Sequence, residues 1–286
     1  MSAPDDTWTL RRVLSWTTDF FQSKGLDSPR LDAELLIADA QGVDRIRLYM
    51  DLDKPLLPDE LTAIRARVQR RARFEPVAYI LGRRGFWSLD LQVDPRVLVP
   101  RPDTERLVEL ALARLKDVEA PVVVDVGTGS GCVALAIGKD RPDATIHAID
   151  RSAEALQVAT ANAAANEVPN VTFHEGDLLA PVAGIGAVDL VVSNPPYIPS
   201  AEVERLMPDV RQYEPRGALD GGADGLDLVR RLVDQAAALL QPGGALMMEI
   251  GFDQGPAVAA LCRGPFAEVT VHPDYAGHDR VVEAIK

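Results

Sequence analysis

Apolar residues along the chain fall into two regimes that meet near residue 75. Before it they recur at helical spacing: Trp8, Leu10, Val13, Leu14, Trp16, Phe20 and Phe21 can line one side of a helix. Ser28-Pro29 forms a cap and first-turn pair ahead of a second run, Leu31 to Ala38, and a further helix is predicted from Pro58-Asp59-Glu60 past Val68. Residues 1–75 therefore read as a small helical domain. Its aromatic residues are expected in the core, in preference to an exposed aromatic binding stripe.

From Val77 to Val93 the pattern changes. Tyr79-Ile80-Leu81-Gly82 and Gly85-Phe86-Trp87-Ser88-Leu89 to Val93 read as a β-hairpin, so residues 76–95 are assigned to a linker. Pro100 and Pro102 then fix the approach to an apolar helix from Leu107 to Leu115, whose N-terminus favours the acids at 103 and 105.

Residues 96–286 alternate buried-type strands with helices, the pattern of a parallel sheet. Val122–Val126 leads into Gly127-Thr128-Gly129-Ser130-Gly131 and a helix-compatible run, Cys132 to Ile137. Thr145–Ile149 ends at Asp150, a third strand ends near Glu175-Gly176-Asp177, and Val188–Ser193 runs into Asn194-Pro195-Pro196-Tyr197. A polar stretch containing Tyr213-Glu214-Pro215 and Leu219-Asp220-Gly221-Gly222 is long enough for a substrate flap. The segment beginning at Gly221 could instead be a cofactor-side element or simply lead into a helix, and the last is preferred. A Leu226–Leu240 helix, an Ala245–Ile250 strand, a helix toward Cys262 and strands at Glu268–His272 and Arg280–Ile285 follow. The final two, closely spaced and without a helical crossover, predict an antiparallel pair.

Composition narrows the function. The 286 residues suffice for one large core and a smaller domain. No segment approaches twenty continuous apolar residues, and Met1-Ser2-Ala3-Pro4-Asp5-Asp6 lacks the positive charge of a signal peptide, so the chain is expected in the cytoplasm and off membranes. Cys132 and Cys262 are far apart and the four histidines are scattered, so no metal site is expected. A net charge of −13 argues against duplex binding. Lys and Arg number 12 against 13 acids through Glu75 and 18 against 30 afterwards, so the second part carries the negative excess. Arg65, Arg67, Arg70, Arg71 and Arg73 crowd one region; a solvated helix face is expected, with an acidic partner as the other use.

Two segments carry chemistry. Glycines at 127, 129 and 131 let the chain turn tightly and bring backbone N–H groups toward a nucleotide-like ligand. Their alternation lacks the G-x-G-x-x-G spacing of a dinucleotide site, and no G-K-[ST] is present for a triphosphate. Asp150 can take both hydroxyls of a ribose, and a carboxylate near Glu175–Asp177 could hold an adenine amine. The other segment is Asn194-Pro195-Pro196-Tyr197. An amide at a strand mouth can accept a substrate N–H, the prolines offer carbonyls while withholding N–H groups, and the ring can stack on a flat amide or base. As an isolated motif it also reads as an ordinary loop after a buried strand; the glycine loop upstream favours a ligand site.

The chain resembles the bacterial protein-(glutamine-N5) methyltransferases that modify peptide chain release factors, within the class I, seven-stranded S-adenosylmethionine-dependent family. The resemblance rests on Glu75-Pro76-Val77-Ala78-Tyr79-Ile80-Leu81-Gly82, Phe86-Trp87-Ser88-Leu89, Pro100 to Glu105, Asp125 to Gly131, Ser193 to Ile198 and Asp224-Gly225-Leu226-Asp227, spread over nearly the whole chain. It implies an α/β fold: a Rossmann-like sheet, mostly parallel with an antiparallel edge strand, a helical release-factor-recognition domain and a β-hairpin linker. It implies that Gly127, Thr128, Gly129, Ser130, Gly131 and Asp150 bind the methionine and ribose portions of S-adenosylmethionine, with Asp177 and Leu178 by the adenine and Asn194 at both cofactor and substrate. Some members carry a bulkier residue near 178. Asn194, Pro195, Pro196 and Tyr197 would hold the glutamine of a Gly-Gly-Gln loop, with Asn194, Pro195 and Tyr197 catalytic, leaving S-adenosylhomocysteine and needing no metal. A monomer without direct nucleic-acid binding is expected. Asn-Pro-Pro-Tyr also occurs in adenine-N6 nucleic-acid methyltransferases, the alternative reading; a noncatalytic binding protein of the same fold is a third.

Overall fold

The computed structural model describes residues 7–286, so the charge pattern over Met1–Asp6 lies outside the described residues. Helix α1 (Leu10–Ser23) starts where the Thr9 hydroxyl accepts the Arg12 N–H at 3.3 Å. Helix α2 (Pro29–Gln41) opens on Pro29 and ends at Gly42, whose φ of 66° suits a residue without Cβ. Ser28 occupies the cap position but its side chain makes no capping bond. Helix α3 (Arg45–Met50) is capped by Asp44, and at the start of α4 (Pro58–Arg71) Glu60 accepts the Leu57 N–H at 2.8 Å.

These helices bury Leu10, Val13, Leu14, Phe21, Leu36, Ile37, Leu48, Ile64 and Val68 in one core. The expected aromatic face divides. Phe21 is fully buried, whereas Trp16 remains 51% exposed and stacks on Phe20 with ring centroids 5.1 Å apart.

The arginine cluster also departs from a solvated face. Arg67 pairs with Asp39 at 2.6 Å, Arg70 with Glu75 at 2.5 Å, and the buried Arg71 with buried Asp32 at 2.7 Å. Burial raises the Asp32 pKa, with Arg71 opposing the shift. Only Arg65 and Arg73 of the five keep an exposed position without a described carboxylate partner.

The chain forms two compact units: residues up to Gly82 together with Pro208–Tyr213, and Arg83–Met207 together with Glu214–Lys286. In the first, Val77–Leu81 is a short helix, α5, so the hairpin expected to begin there starts only at Arg83. Gly82, at φ 72°, ends that helix.

In the second unit, strands β1 (Arg83–Phe86) and β2 (Leu89–Gln92) pair antiparallel. The hairpin is anchored to this unit: Trp87 Nε1 donates to Asp140 at 2.8 Å and Gln92 N donates to the buried Asn162 at 2.7 Å. Then follow α6 (Glu105–Leu115), β3 (Val122–Val126), α7 (Cys132–Asp140), β4 (Thr145–Asp150), α8 (Ala153–Ala165), β5 (Val171–Glu175), β6 (Val188–Ser193), α9 (Ser200–Val203), α10 (Pro208–Tyr213, in the first unit), α11 (Asp227–Leu239), β7 (Leu240–Glu249), α12 (Gly255–Cys262), β8 (Glu268–Pro273) and β9 (Asp279–Ile285).

The seven-stranded sheet has the order β5-β4-β3-β6-β7-β9-β8. Strands β3 to β7 are mutually parallel, and β9 lies antiparallel between β7 and β8, the expected terminal pair. Period-two alternation along β3 sends Val123 to a core shared with Leu107, Leu135 and Ala163, and Val124 and Val126 to a core shared with Val229, Leu232 and Val258. Helices thus cover both faces. Strand order reverses between β3 and β6, so the crevice lies at the carboxyl ends of those strands. Among the described residues no helix is long and apolar enough to cross a membrane.

Candidate active site

At the end of β3, Gly127, Gly129 and Gly131 take φ of 74°, 55° and 84°, a region that strains any residue with a Cβ. The loop does less direct donating than expected. Gly127 N and Thr128 N both donate to the Ile149 carbonyl at 2.9 Å, Gly129 N to Asp150 Oδ2 at 2.9 Å, and Gly131 N to the Thr128 carbonyl at 2.8 Å. The first three hold the loop to β4 and the fourth closes its turn, leaving fewer for a ligand. The open side is instead steric: a Cβ at Gly127 or Gly129 would meet nothing within 4 Å.

Asp125, not anticipated as a site residue, secures this turn from below. Its buried Oδ2 accepts the Thr128 hydroxyl at 2.7 Å and the Ala134 N–H of α7 at 3.2 Å. Burial outweighs these bonds and pushes its carboxyl up to about 7. An acid inside an otherwise apolar strand was the available signal.

Asp150 stands at the end of β4, where one oxygen accepts Gly129 N and the other Ser152 N, each at 2.9 Å. A carboxylate oxygen has further acceptor capacity, so ligand hydroxyls can be added to this arrangement. Asp177 is exposed and ion-pairs with Arg231 of α11. Leu178 holds a left-handed backbone, φ 51°, and is buried. Its neighbour Leu179 N donates to Gln235 at 3.0 Å.

At the end of β6 the buried Ser193 hydroxyl donates to the Val126 carbonyl at 2.7 Å, tying β6 to the mouth of β3. Asn194 Nδ2 donates to the buried Thr104 hydroxyl at 3.1 Å, which turns Oδ1 away from Thr104. The backbone beyond it is clamped. Ile198 N donates to the Leu219 carbonyl at 3.0 Å, Gly221 N to the Ile198 carbonyl at 2.8 Å, and Gln254 Nε2 to the Tyr197 carbonyl at 2.9 Å. A Cβ at Gly225 would lie 2.2 Å from the Tyr197 carbonyl oxygen, so this glycine is a condition of the packing. The Gly221–Leu226 segment therefore leads into α11 and buttresses the Asn-Pro-Pro-Tyr loop at the same time.

A cavity of about 230 Å³ joins these pieces. Its wall includes Gly127 to Ser130, Asp150, Asp177, Leu178, Asn194, Pro195 and Pro196, with Arg101 and Thr104 from the preceding segment. Gly131 and Tyr197 are the two expected site residues absent from that wall. The Tyr197 hydroxyl lies 3.5 Å from Glu249 Oε1 at the end of β7, and burial, followed by the Glu249 charge, pushes its pKa up to about 12. Thr104 and Glu249, both 1% exposed, are further residues the sequence reading did not single out for the site.

Residues 12–82 match the PrmC N-terminal domain family and residues 106–209 the methyltransferase small domain family. A release factor glutamine methyltransferase of Geobacter sulfurreducens is 46% identical, over 99% of this chain and 98% of that protein. One of Caulobacter vibrioides is 43% identical over 97% of each. The fold also resembles the crystal structure of the hMettl16 catalytic domain in complex with MAT2A 3′UTR hairpin 6, with a TM-score of 0.59 at 14% identity over 74% of this chain and 83% of that one, a likeness of fold alone. Full-length similarity of this degree, together with both matched domains, shows that the chain belongs to the release factor glutamine methyltransferase family.

Proposed function

We propose that this protein transfers a methyl group from S-adenosylmethionine to the side-chain N5 of the glutamine in the Gly-Gly-Gln loop of peptide chain release factors. The observation that carries the reading is the single cavity wall shared by the glycine loop, Asp150 and Asn194-Pro195-Pro196. The residues present fit the cofactor: open space over Gly127 and Gly129 admits its methionine portion, Asp150 has acceptor capacity for ribose hydroxyls, and buried Leu178 offers an apolar contact for adenine. Asp177 would receive the adenine amine while keeping its Arg231 partner. When bound, S-adenosylmethionine supplies an electrophilic methyl group and leaves as S-adenosylhomocysteine.

The chain's own residues then have to position a poor nucleophile. An amide nitrogen has its lone pair delocalised into the carbonyl. Asn194 Oδ1 and the Pro195 carbonyl accept its two N–H groups, which orients the nitrogen and favours positive charge developing on it. Pro195 and Pro196 bring no competing N–H. Tyr197 packs beside the amide plane while its hydroxyl faces Glu249. After transfer, the protonated amide loses its proton to water or a nearby carbonyl. The glycines of the substrate loop permit deep insertion. A cytoplasmic monomer, metal-free and without direct nucleic-acid contact, completes the reading, with the helical unit recognising the release factor.

The test is incubation with labelled S-adenosylmethionine and matched release factors carrying Gly-Gly-Gln or Gly-Gly-Glu, followed by peptide mass spectrometry. Methyl on the glutamine alone is the expected outcome. Cofactor binding without transfer to either protein would overturn the substrate assignment and turn attention to adenine in DNA or RNA.

A further inference from the structure

Behind the Asn-Pro-Pro-Tyr loop lies a buried polar group that the reaction as described does not use. Glu249 closes the apolar strand β7, is 1% exposed, and has its Oε2 buried with no hydrogen-bond partner. Such a group is costly to retain in a core unless it has a task. Two hydroxyls face it, those of Thr104 and Tyr197. Thr104 in turn accepts from Asn194 Nδ2 at 3.1 Å. Its oxygen being engaged as an acceptor from Asn194, its own proton is available for the Glu249 carboxylate.

We propose that Glu249 is a positioning residue: by drawing the Thr104 hydroxyl proton toward itself it leaves the Thr104 oxygen as an acceptor, and so fixes the Asn194 amide with Nδ2 inward and Oδ1 toward the substrate. An amide side chain is nearly symmetric in shape, and only its hydrogen-bond partners decide which end faces the cavity. A flipped Asn194 would present N–H groups to the N–H groups of the substrate amide and repel it. The second contact, the Tyr197 hydroxyl 3.5 Å from Glu249 Oε1, brings the other end of the same loop to the same carboxylate. Glu249 thereby sets both ends of the Asn194–Tyr197 segment. This role rests on the reading that Asn194 Oδ1 accepts the substrate amide.

The arrangement requires ionised Glu249, since a protonated carboxyl competes as a donor. Burial holds this carboxyl up at about 7, with Thr104 and Arg280 lowering it and Asp103 raising it; Cys132 and Tyr197 also face it. Turnover is therefore expected to fall as pH drops through about 7.

The test compares kcat, KM for the release factor and cofactor affinity in Thr104→Val, Thr104→Ser, Glu249→Gln and Asn194→Ala. Thr104→Val, close in shape but without the hydroxyl, should lose about tenfold in kcat with calorimetric cofactor affinity unchanged, and Thr104→Ser should restore it. Glu249→Gln should flatten the limb near 7 in the kcat–pH profile, whereas a limb due to Asp125 would survive that change. In the Asn194→Ala background Thr104→Val should cost nothing further. Wild-type kcat in Thr104→Val, an unaltered profile in Glu249→Gln, or additive losses in the double variant would overturn the role of Glu249 while leaving that of Asn194 standing. Undiminished kcat in Asn194→Ala would instead remove the reading on which it rests.

Discussion

Gln254 Nε2 donates to the Tyr197 carbonyl while its Oε1 accepts the Gly251 N–H, both at 2.9 Å. One side chain thus ties the turn after β7 to the loop after β6. Gln254→Leu removes both bonds at once and leaves a loop carbonyl without its donor. The expected outcome is a kcat lower by roughly tenfold and a stability loss of about 1 kcal/mol. Steady-state methylation beside chemical denaturation measures both; an equal weakening of cofactor binding would count against a role in holding the loop.

Asn194→Ala should reduce turnover much more than cofactor affinity, because its proposed partner is the substrate amide. A loss of about 100-fold in kcat is the order expected for removing an oriented acceptor at a developing charge. Calorimetry and methylation kinetics on the same preparation decide the matter. Parallel losses in the two would sink the assignment.

Asp125 makes stability depend on pH in a defined direction. Its folded-state pKa, about 7, lies above the value of about 3.9 for an unfolded aspartate. The folded state therefore holds the proton more tightly, and its stabilising contribution is complete below about pH 4 and lost as pH rises through about 7. Glu249, also held at about 7, acts with the same sign. Asp125→Asn should flatten part of this decline in urea denaturation of the cofactor-free protein from acid to neutral pH. An unchanged slope would show that Asp125 does not carry a raised pKa.

The buried Arg71–Asp32 pair at 2.7 Å leads to a prediction confined to the helical unit. Arg71→Met strands a buried carboxylate and should cost about 3 kcal/mol. Adding Asp32→Leu removes that stranded charge, so the double variant should recover most of the loss. Amide hydrogen exchange across α2 and α4 would locate the effect, and additive losses would refute the pairing argument.

The sheet and the glycine loop were legible because their signals are local. Val122–Val126 is apolar but for Asp125 and fitted to burial on both faces, and glycines at 127, 129 and 131 announce a turn that residues with a Cβ would strain. Val77–Leu81 was not legible as a helix, because five residues between a proline and a glycine offer too short a period to distinguish from a strand. Within the site, Asn194 declared itself by its motif but its orienting partner did not. Thr104 lies 90 positions away in sequence, and Glu249 reaches the same place from β7. The arginine cluster failed for a related reason: composition shows five cations together, while the acids that neutralise Arg67 and Arg71 come from α2 and, for Arg71, also from α10.

Helix α10 belongs to the helical unit although the chain reaches it only after four helices and six strands of the sheet unit have been laid down. It delivers Asp209 to within 3.4 Å of Arg71, and the Tyr213 hydroxyl to the Arg73 carbonyl at 2.8 Å. During synthesis the helical unit, most of which precedes the sheet unit along the chain, is therefore not finished until residue 213 has emerged. A fragment cut at Gly82 would fold, if it folds, around an arginine still short of one of its two acids.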